Sequence, residues 1–307
     1  MDNLRNILKR ININGELHFN EPMSDHTTFQ TGGPAEIFIK PADTTELKSI
    51  IEQIGAFGLD FPIFILGGGA NLLVSDEGIS GLVIDMTNLN AIKVDSDGTL
   101  ICGAGTRVDE AAEAAYSAGL SGFDSFYGMP GTIGGGIWMN ARCYGTSFSD
   151  ILKTVTYIDE KKIVLTMENS DGIFNYKQSP FQNIKSVIIE ASFHLNPGNP
   201  AIIRKNMNSN RSDREKKGHY AAPCAGSIFK NNRSFGEPSG AIIDSLGLRG
   251  KTIGGAKISD KHANIIINTG SATSKDILRL INFTREEVKQ AYGFELEPEI
   301  QLIGNFS

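Results

Sequence analysis

Apolar positions recur along the chain with two periods, and glycines mark most of the places where one gives way to the other. Between Gly33 and Pro41, Ala35, Ile37 and Ile39 alternate with Glu36, Phe38 and Lys40, the two-residue period of a strand. Leu47, Ile50, Ile51 and Ile54 then recur at helical spacing behind a capping-box-like pair, Asp43 and Glu46, and Gly55 and Gly58 stop that helix. The unbroken apolar run Phe61 to Leu66 reads as a buried strand running into Gly67-Gly68-Gly69-Ala70-Asn71. A further strand covers Gly81 to Met86, after a loop containing Asp76 and Gly78. Thr99 to Cys102 predicts a strand, and alanine-rich Val108 to Ala118 a helix closed by Gly119. TVTYID, KIVLTM and SVIIEASFHL give strands within 151–195. Asn196-Pro197-Gly198-Asn199-Pro200 reads as a linker and a domain boundary. Beyond it the pattern predicts a basic helix over 204–217, a strand at PCAGSIFKN, and a short helix from Ser239 to Leu246. Then come a strand over Ala263 to Asn268, a helix from Ser274 to Gly293 with Asp276 in its first turn, and a strand in FELEPEIQLIG. A short N-terminal helix with Leu4, Ile7 and Leu8 on one side precedes all of these.

Composition narrows the class. A chain of 307 residues suits two domains with a small N-terminal extension, and 40% hydrophobic with 21% charged residues is ordinary for a globular protein. A net charge of −6 argues against a nucleic-acid partner. Cys102, Cys143 and Cys224 are far apart and odd in number, so neither a disulfide framework nor a zinc site is expected, and a reducing compartment fits. The start lacks the apolar core of a secretory signal, and no run approaches the about 18 apolar residues a membrane span needs. The expectation is a cytoplasmic protein without a membrane association. His18, His26, His194, His219 and His262 lack metal-ligand spacing, so no metal is expected.

Candidate chemistry centres on Gly128 to Gly145, GMPGTIGGGIWMNARCYG, where six of eighteen residues are glycine. So many positions without a Cβ permit close backbone approach to a ligand, and unobstructed N–H groups form a concave anion site. Taken alone, the stretch is equally a glycine-rich packing turn. Strand, glycine loop and strand around Gly67–Asn71 form a second backbone-driven phosphate motif. It is not a dinucleotide fingerprint: Gly67, Gly69 and Leu72 miss the third glycine, and no crossover helix follows. The basic run 204–217 reads by itself as a solvated helix face.

Seven motifs in register then cover nearly the whole chain: HTTFQTGGPAE, GGGANLLVSDEGISGLVI, GMPGTIGGGIWMNA-x-x-YG, Y-K-x-S-x-F, AGSIFKN, IGGAKISDKHANIIIN and LEPEIQLIG. Together they resemble the UDP-N-acetylenolpyruvoylglucosamine reductase family. That resemblance implies an α+β fold: an FAD-binding domain of the vanillyl-alcohol-oxidase (PCMH) type over 21–196, and a smaller α+β substrate-binding domain over 200–305. Residues 1–20 would be an extension, and the chain resembles the shorter class without an inserted tyrosine loop. The implied reaction makes UDP-N-acetylmuramate for peptidoglycan: NADPH reduces FAD, flavin N5 delivers hydride to C3 of the enolpyruvyl group, and a protein acid protonates C2. The implied partner is a small sugar nucleotide, with the protein a monomer or weak homodimer.

By the same resemblance Ser227 is the proton donor, Glu299 the catalytic glutamate, and Lys177 the cation beside the substrate carboxylate. Alternation places Glu295, Glu297 and Glu299 on one face and does not choose among them; only the motif does. Tyr176, Arg214, Lys230 and Asn268 are substrate-binding candidates. Gly67, Gly68, Gly69, Ala70, Asn71, Gly131, Thr132, Gly134, Gly135 and Asn140 are the cofactor-binding candidates. Two positions leave the family pattern. Lys177 stands where arginine is usual, which keeps the charge and loses the planar two-bond fork. Arg142-Cys143 replaces a small pair, and that arginine could crowd the flavin or reach its phosphates. Two other readings remain: another FAD-dependent oxidoreductase of the same fold, and a flavin- or nucleotide-binding protein without turnover. The presence of both Ser227 and Glu299 argues against the latter.

Overall fold

Buried apolar side chains segregate into two clusters, and the chain forms two compact units around them. The computed structural model describes residue 8, residues 13–56 and residues 61–306. The first unit takes Met1–Phe19, Ile37–Gly68 and Gly81–Arg211; the second takes Asn20–Glu36, Gly69–Ser80 and Ser212–Ser307.

One sheet, whose strands lie largely in the first unit, has the strand order Glu16–Pro22, Pro34–Lys40, Ile79–Asp85, Ile63–Leu66, the last two parallel. Helix α1 (Thr44–Ala56) turns Leu47, Ile50 and Ile54 into the cluster that holds Ile37, Ile39, Leu82 and Ile84. Its helical apolar stripe meets the alternating stripe of the strands, and that burial is what fixes the pair. Asp43 Oδ1 accepts the Glu46 N–H at 2.8 Å, while the Glu46 carboxylate accepts from the backbone of Asn14, Gly15 and Ala42. A second sheet is antiparallel throughout, ordered Val164–Glu168, Leu152–Ile158, Val187–His194, Thr99–Gly103, Ile92–Val94. Helices α2 (Val108–Ser117), α3 (Ile133–Trp138) and α4 (Pro200–Lys216) complete the unit's helical part, α4 running on past Arg211. Phe123, Phe126, Phe148 and Phe193 pack as fully buried tilted and edge-on rings.

The second unit is built on an antiparallel sheet ordered Cys224–Ser227, Ile265–Asn268, Ala256–Ile258, Thr252–Ile253, with helices α5 (Ser239–Ser245) and α6 (Ser274–Tyr292). Thr273 and Asp276 form a capping box at the start of α6, and Gly293 closes it at φ +79°, where a left-handed C-cap favours glycine. Asp76 accepts from the first N–H groups of α6, Ser274 at 2.8 Å and Lys275 at 2.9 Å. Leu72–Val74 pairs in parallel with Gln301–Ile303, so a short internal segment and the chain's last strand share one ladder.

Several expectations change. Gly128–Gly145 is not one loop: α3 occupies its middle and a small hairpin, Arg142–Cys143 with Thr146–Ser147, its end. Ile133 and Ile137 are fully buried, and that burial outweighs the helix cost of three glycines. Asn196–Pro197 is paired with Leu120–Ser121, and Pro200 already opens α4. The units part at Arg211–Ser212 instead of at that segment, and they interleave upstream. The closing strand is only Gln301–Ile303, which leaves Glu295, Glu297 and Glu299 outside it. The hairpin Thr252–Ile258 escapes the sequence because each arm is two or three residues long. Of the expected N-terminal helix, Leu4 and Ile7 lie outside the described residues, while Leu8 is helical and buried.

Candidate active site

The first unit contains a cradle made by missing side chains. A Cβ on Gly68 would lie 2.7 Å from Gly131 Cα, and one on Gly67 would lie 2.5 Å from Thr132 Oγ1. Gly131, at φ +117°, and Gly67–Gly68 therefore approach as bare backbone, a contact no side chain permits. Thr132 precedes α3 as its N-cap residue, yet its hydroxyl makes no capping bond. Thr132 Oγ1 is buried with no hydrogen-bond partner. A buried hydroxyl left unmatched costs about 1–3 kcal/mol, so this hydroxyl is open to a polar group from outside the chain, and the bare backbone beside it fits a flavin diphosphate. Thr132→Val is accordingly expected to leave the apoprotein as stable or more so, while FAD binding weakens roughly ten-fold. Thermal melting of apoprotein and FAD titration check both halves; unchanged FAD affinity would detach the hydroxyl from the cofactor.

Not every glycine here offers an amide. The Ile133 N–H donates to Thr106 O at 2.9 Å and the Gly134 N–H to Ala104 O at 2.8 Å. Gly134 is bare because a Cβ would press on Ala104 at 3.0 Å, and Gly136 because one would meet the Phe148 ring. Gly135 stays beside Thr132, its virtual Cβ 3.6 Å from Oγ1. Asn140, at φ +41°, uses its side chain within the chain: its Nδ2 donates to Asn175 O at 2.8 Å and its Oδ1 accepts from Ser149 N at 3.1 Å.

Those bonds fasten the Tyr176–Lys177 turn. Asn175 and Gln178 exchange both backbone hydrogen bonds at 3.1 Å, so Tyr176 and Lys177 form the two-residue tip, Lys177 at φ +57°. Ser179 Oγ and Gln182 Nε2 both donate to Trp138 O, tying the turn to the end of α3. Tyr176 is exposed and Lys177 half-buried.

In the second unit, Ser227 ends its strand immediately after Gly226, whose φ of +71° coincides with a break in register against Ile265–Asn268. The next carbonyl, Ile228 O, accepts the Glu299 N–H at 2.7 Å, and Lys230 N donates to Glu297 O at 2.9 Å. Ser227 and Glu299 are thus placed by adjoining backbone ladders. The structure separates the three glutamates that alternation left equivalent. Glu295 pairs with Arg285 and Lys289, Glu297 pairs with Lys230 at 2.6 Å, and both are exposed; Glu299 is half-buried between buried Leu296 and Ile300. Asn71 Nδ2 donates to Glu299 O at 3.1 Å, so this expected cofactor contact also fixes the glutamate's backbone. Gly69, at φ +61°, meets the Thr28 N–H through its carbonyl at 3.1 Å. Ala70 follows it, half-buried, and no bond of its own sets its role apart.

Asn268, a substrate-binding candidate, makes local bonds. Its Nδ2 donates to Phe29 O, and its Oδ1 accepts from Gly270 N and Ala272 N, so this buried amide shapes the turn after its strand. A cleft of about 330 Å³ opens beside Ser227, lined also by Asn231, Arg249, Lys261, His262 and Asn264. His262 Nδ1 accepts the Asn264 N–H at 3.1 Å, which leaves the proton of the neutral ring on Nε2. Buried Arg214 stands four residues before the turn at Gly218, and its carbonyl accepts the His219 N–H. Burial, helped by Arg214, His262 and Lys217, pushes His219 down to about 4. Above the usual value of 6.5, folded and unfolded chains both hold it neutral. Between 6.5 and about 4 only the unfolded chain takes the proton, so stability falls as pH falls through that window. His219→Gln should remove roughly 1–3 kcal/mol of the loss seen between about pH 7.5 and about pH 4, read from urea midpoints. An unchanged difference would place the acid sensitivity elsewhere.

Residues 35–167 match the profile of an FAD-binding domain, and residues 218–303 that of the C-terminal domain of UDP-N-acetylenolpyruvoylglucosamine reductase. The UDP-N-acetylenolpyruvoylglucosamine reductase of Borreliella burgdorferi is 40% identical over 98% of this chain and 98% of its own length. That of Caldanaerobacter subterraneus is 40% identical over 99% of this chain and 98% of its own. The chain belongs to the UDP-N-acetylenolpyruvoylglucosamine reductase family. The crystal structure of the Thermus caldophilus family member superposes with a TM-score of 0.78 at 29% identity, covering 95% of this chain and all of that one. The fold is therefore the expected α+β pair of an FAD-binding domain and the family's C-terminal domain.

Within the family pattern, the exposed Arg142 has a local role: its Nη1 donates to Ser147 Oγ at 2.9 Å across the small hairpin. Asn231, His262 and Asn264, which line the cleft beside Ser227, are not among the site residues expected from the sequence. The signal was present in KHANIIIN, where Asn264 grips both N–H and C=O of Phe229, two residues past Ser227. Among the described residues no cluster suits a metal ion, and no helix is long and apolar enough to cross a membrane.

Proposed function

We propose that the chain reduces UDP-N-acetylglucosamine enolpyruvate to UDP-N-acetylmuramate with NADPH, as an FAD-containing enzyme of peptidoglycan precursor synthesis in the cytoplasm. The observation that carries the reading is the placement of Glu299, whose N–H bonds the carbonyl of the residue after Ser227, with Ser227 itself lining a polar cleft. When bound, FAD supplies the hydride chemistry, taking electrons from NADPH and passing them to the substrate.

The protein's own residues supply the rest. An enol ether resists hydride unless its neighbouring carboxylate spreads the developing charge, which calls for a cation and an acid nearby. Ser227 Oγ holds the proton for C2, at the strand end where the register shifts. A serine is a weak acid, so it serves only against a carbanion-like centre. Glu299 is the carboxyl that stabilises the enolic form or relays a proton, and Lys177 and Arg214 are the cations for carboxylate or diphosphate. Lys230, held by Glu297, contributes its stem and charge to substrate binding. Gly67, Gly68, Gly131, Thr132 and Gly135 would hold the FAD diphosphate, with the Thr132 hydroxyl available to donate to it. The residues 21–196 and 200–305 carry the FAD-binding and substrate-binding roles respectively, helped by the segments that interleave.

The test is NADPH oxidation by purified protein with and without the enolpyruvyl sugar nucleotide, after a flavin spectrum has been recorded. Oxidation that depends on this substrate supports the reading. Flavin bleaching indifferent to it favours an oxidoreductase acting elsewhere, and a flavin that NADPH does not bleach leaves a binding protein.

A further inference from the structure

The strand that carries Ser227 changes partners directly after it. Up to Ser227 it pairs with Ile265–Asn268, Ser227 standing opposite Ile265. From Ile228 onward the partner is the chain's end: Phe229 bridges Pro298, Ile228 O accepts the Glu299 N–H, and the Lys230 N–H donates to Glu297 O. One residue spans this hand-over. The Ile228 N–H donates to Asn264 O at 2.9 Å, and the next N–H, that of Phe229, donates to Asn264 Oδ1 at 2.9 Å. Asn264 Nδ2 returns a bond to Phe229 O, also at 2.9 Å. Two consecutive N–H groups meet one residue because the opposite strand stops at Ile265, whose N–H turns back to His262 O. The buried amide therefore supplies the acceptor and the donor that a continuing strand would have offered Phe229.

We propose that Asn264 is a positioning residue for the protonation step, holding the backbone at Phe229 so that Ser227 and Glu299 keep one fixed spacing. Ser227 lies two residues before that anchor, and Glu299 docks on the carbonyl between them. The inference rests on the reaction assigned above. The position calls for an amide in particular. A carboxylate only accepts, a hydroxyl has a single proton, and an aliphatic side chain does neither, whereas this site needs one donor and one acceptor side by side. Asn264 is itself held, since its N–H donates to His262 Nδ1 at 3.1 Å. The arm beyond has its own fastening: Ser239 Oγ donates to Lys230 O at 2.6 Å, and Asn231 Oδ1 accepts the Ser239 N–H at 3.0 Å. The amide of Asn264 thus acts on the hand-over, where the spacing between the two site residues is set.

Asn264→Asp turns the role into a pH profile. Its carboxylate still accepts the Phe229 N–H but sets lone pairs against Phe229 O; protonated, it restores both bonds. Burial raises such a carboxyl above its usual range. The charged and titratable groups around it are the Lys230–Glu297 pair and Glu299 on the paired segments, and His262 in its own turn. Asp244, Arg249 and Lys261 line the cleft with it. All are common to variant and wild type, so the ratio of their rates at each pH isolates the new carboxyl. Reoxidation of the FAD-loaded variant by saturating enolpyruvyl sugar nucleotide is expected to be at least about ten-fold slower than wild type at about pH 9 and within about three-fold at about pH 6. Flavin reduction by NADPH should match the wild type throughout. Asn264→Ser should be slowed about ten-fold at both pH values, having one hydroxyl for two backbone groups. In that variant amide hydrogen exchange should quicken at least about ten-fold at both Phe229 and Glu299 and stay unchanged in α6. Exchange needs no turnover, so it tests the anchor even where the wild-type protein leaves the substrate untouched, the result that would defeat the assigned reaction instead. A rate ratio for Asn264→Asp that is the same at both pH values, loss of both half-reactions together, or faster exchange at Phe229 without Glu299 each overturns the proposal.

Discussion

Ser227→Ala is expected to leave flavin reduction by NADPH at its normal rate and to slow reoxidation by the enolpyruvyl sugar nucleotide by roughly two to four orders of magnitude. Rapid-mixing spectroscopy of the flavin separates the two half-reactions. The dissociation of effects follows from where the side chain stands: half-buried at the end of its strand, after a register break, beside the polar cleft. The substitution removes one oxygen and leaves the strand pairing with Ile265 to the backbone, so folding should be within about 0.5 kcal/mol of normal. A loss of both half-reactions together would sink the proton-donor role and point to a structural one.

Gly68→Ala should have the next largest effect, and on a different readout. The new Cβ would sit 2.7 Å from Gly131 Cα and 3.2 Å from Gly131 C, so backbone would be forced against backbone with no flexible side chain to yield. Overpacking of this kind costs about 1–3 kcal/mol, and here it opens the cradle that Thr132 Oγ1 faces. The purified variant is expected to be colourless, with FAD affinity down by two orders of magnitude or more and a melting temperature lowered by several degrees. Gly145→Ala is the matched control. That glycine has a left-handed φ of +90° but nothing within 4 Å of its virtual Cβ, so it should keep its flavin. A yellow Gly68→Ala protein would mean that the cradle is not the flavin's.

Periodicity found the longer elements well, because α1 and α6 and the strands of the large sheets bury one stripe each. It failed where the burial stripe is too short to read. The arms of the Thr252–Ile258 hairpin have no full period, and FELEPEI alternates without being a strand. Glycine density was read as loop, yet Ile133 and Ile137 pull Gly134–Gly136 into α3. At the site, motif resemblance named Ser227 and Glu299, and the backbone bond from Glu299 to Ile228 explains why both sit in fixed motifs. It did not show that the Asn268 and Asn140 amides bond within the chain, because a sequence records which residues carry amides and not which way those amides point. Thr132 differs: its significance is a bond not made within the chain, which only the packed structure exposes.

The interleaving of the two units bears on how the protein can be divided and inherited. Phe29 and Leu73 belong to the core of the second unit, and Leu72–Val74 supplies the only ladder partner of Gln301–Ile303 among the described residues. All lie upstream of Gly81, in two segments of the second unit, after each of which the chain goes back to the first. A gene fragment encoding only 200–305 would therefore make a polypeptide with a hole in its core, an unpaired terminal strand and no Asp76 to cap α6. The second half is not a cassette that recombination could lift out and attach to another flavoprotein.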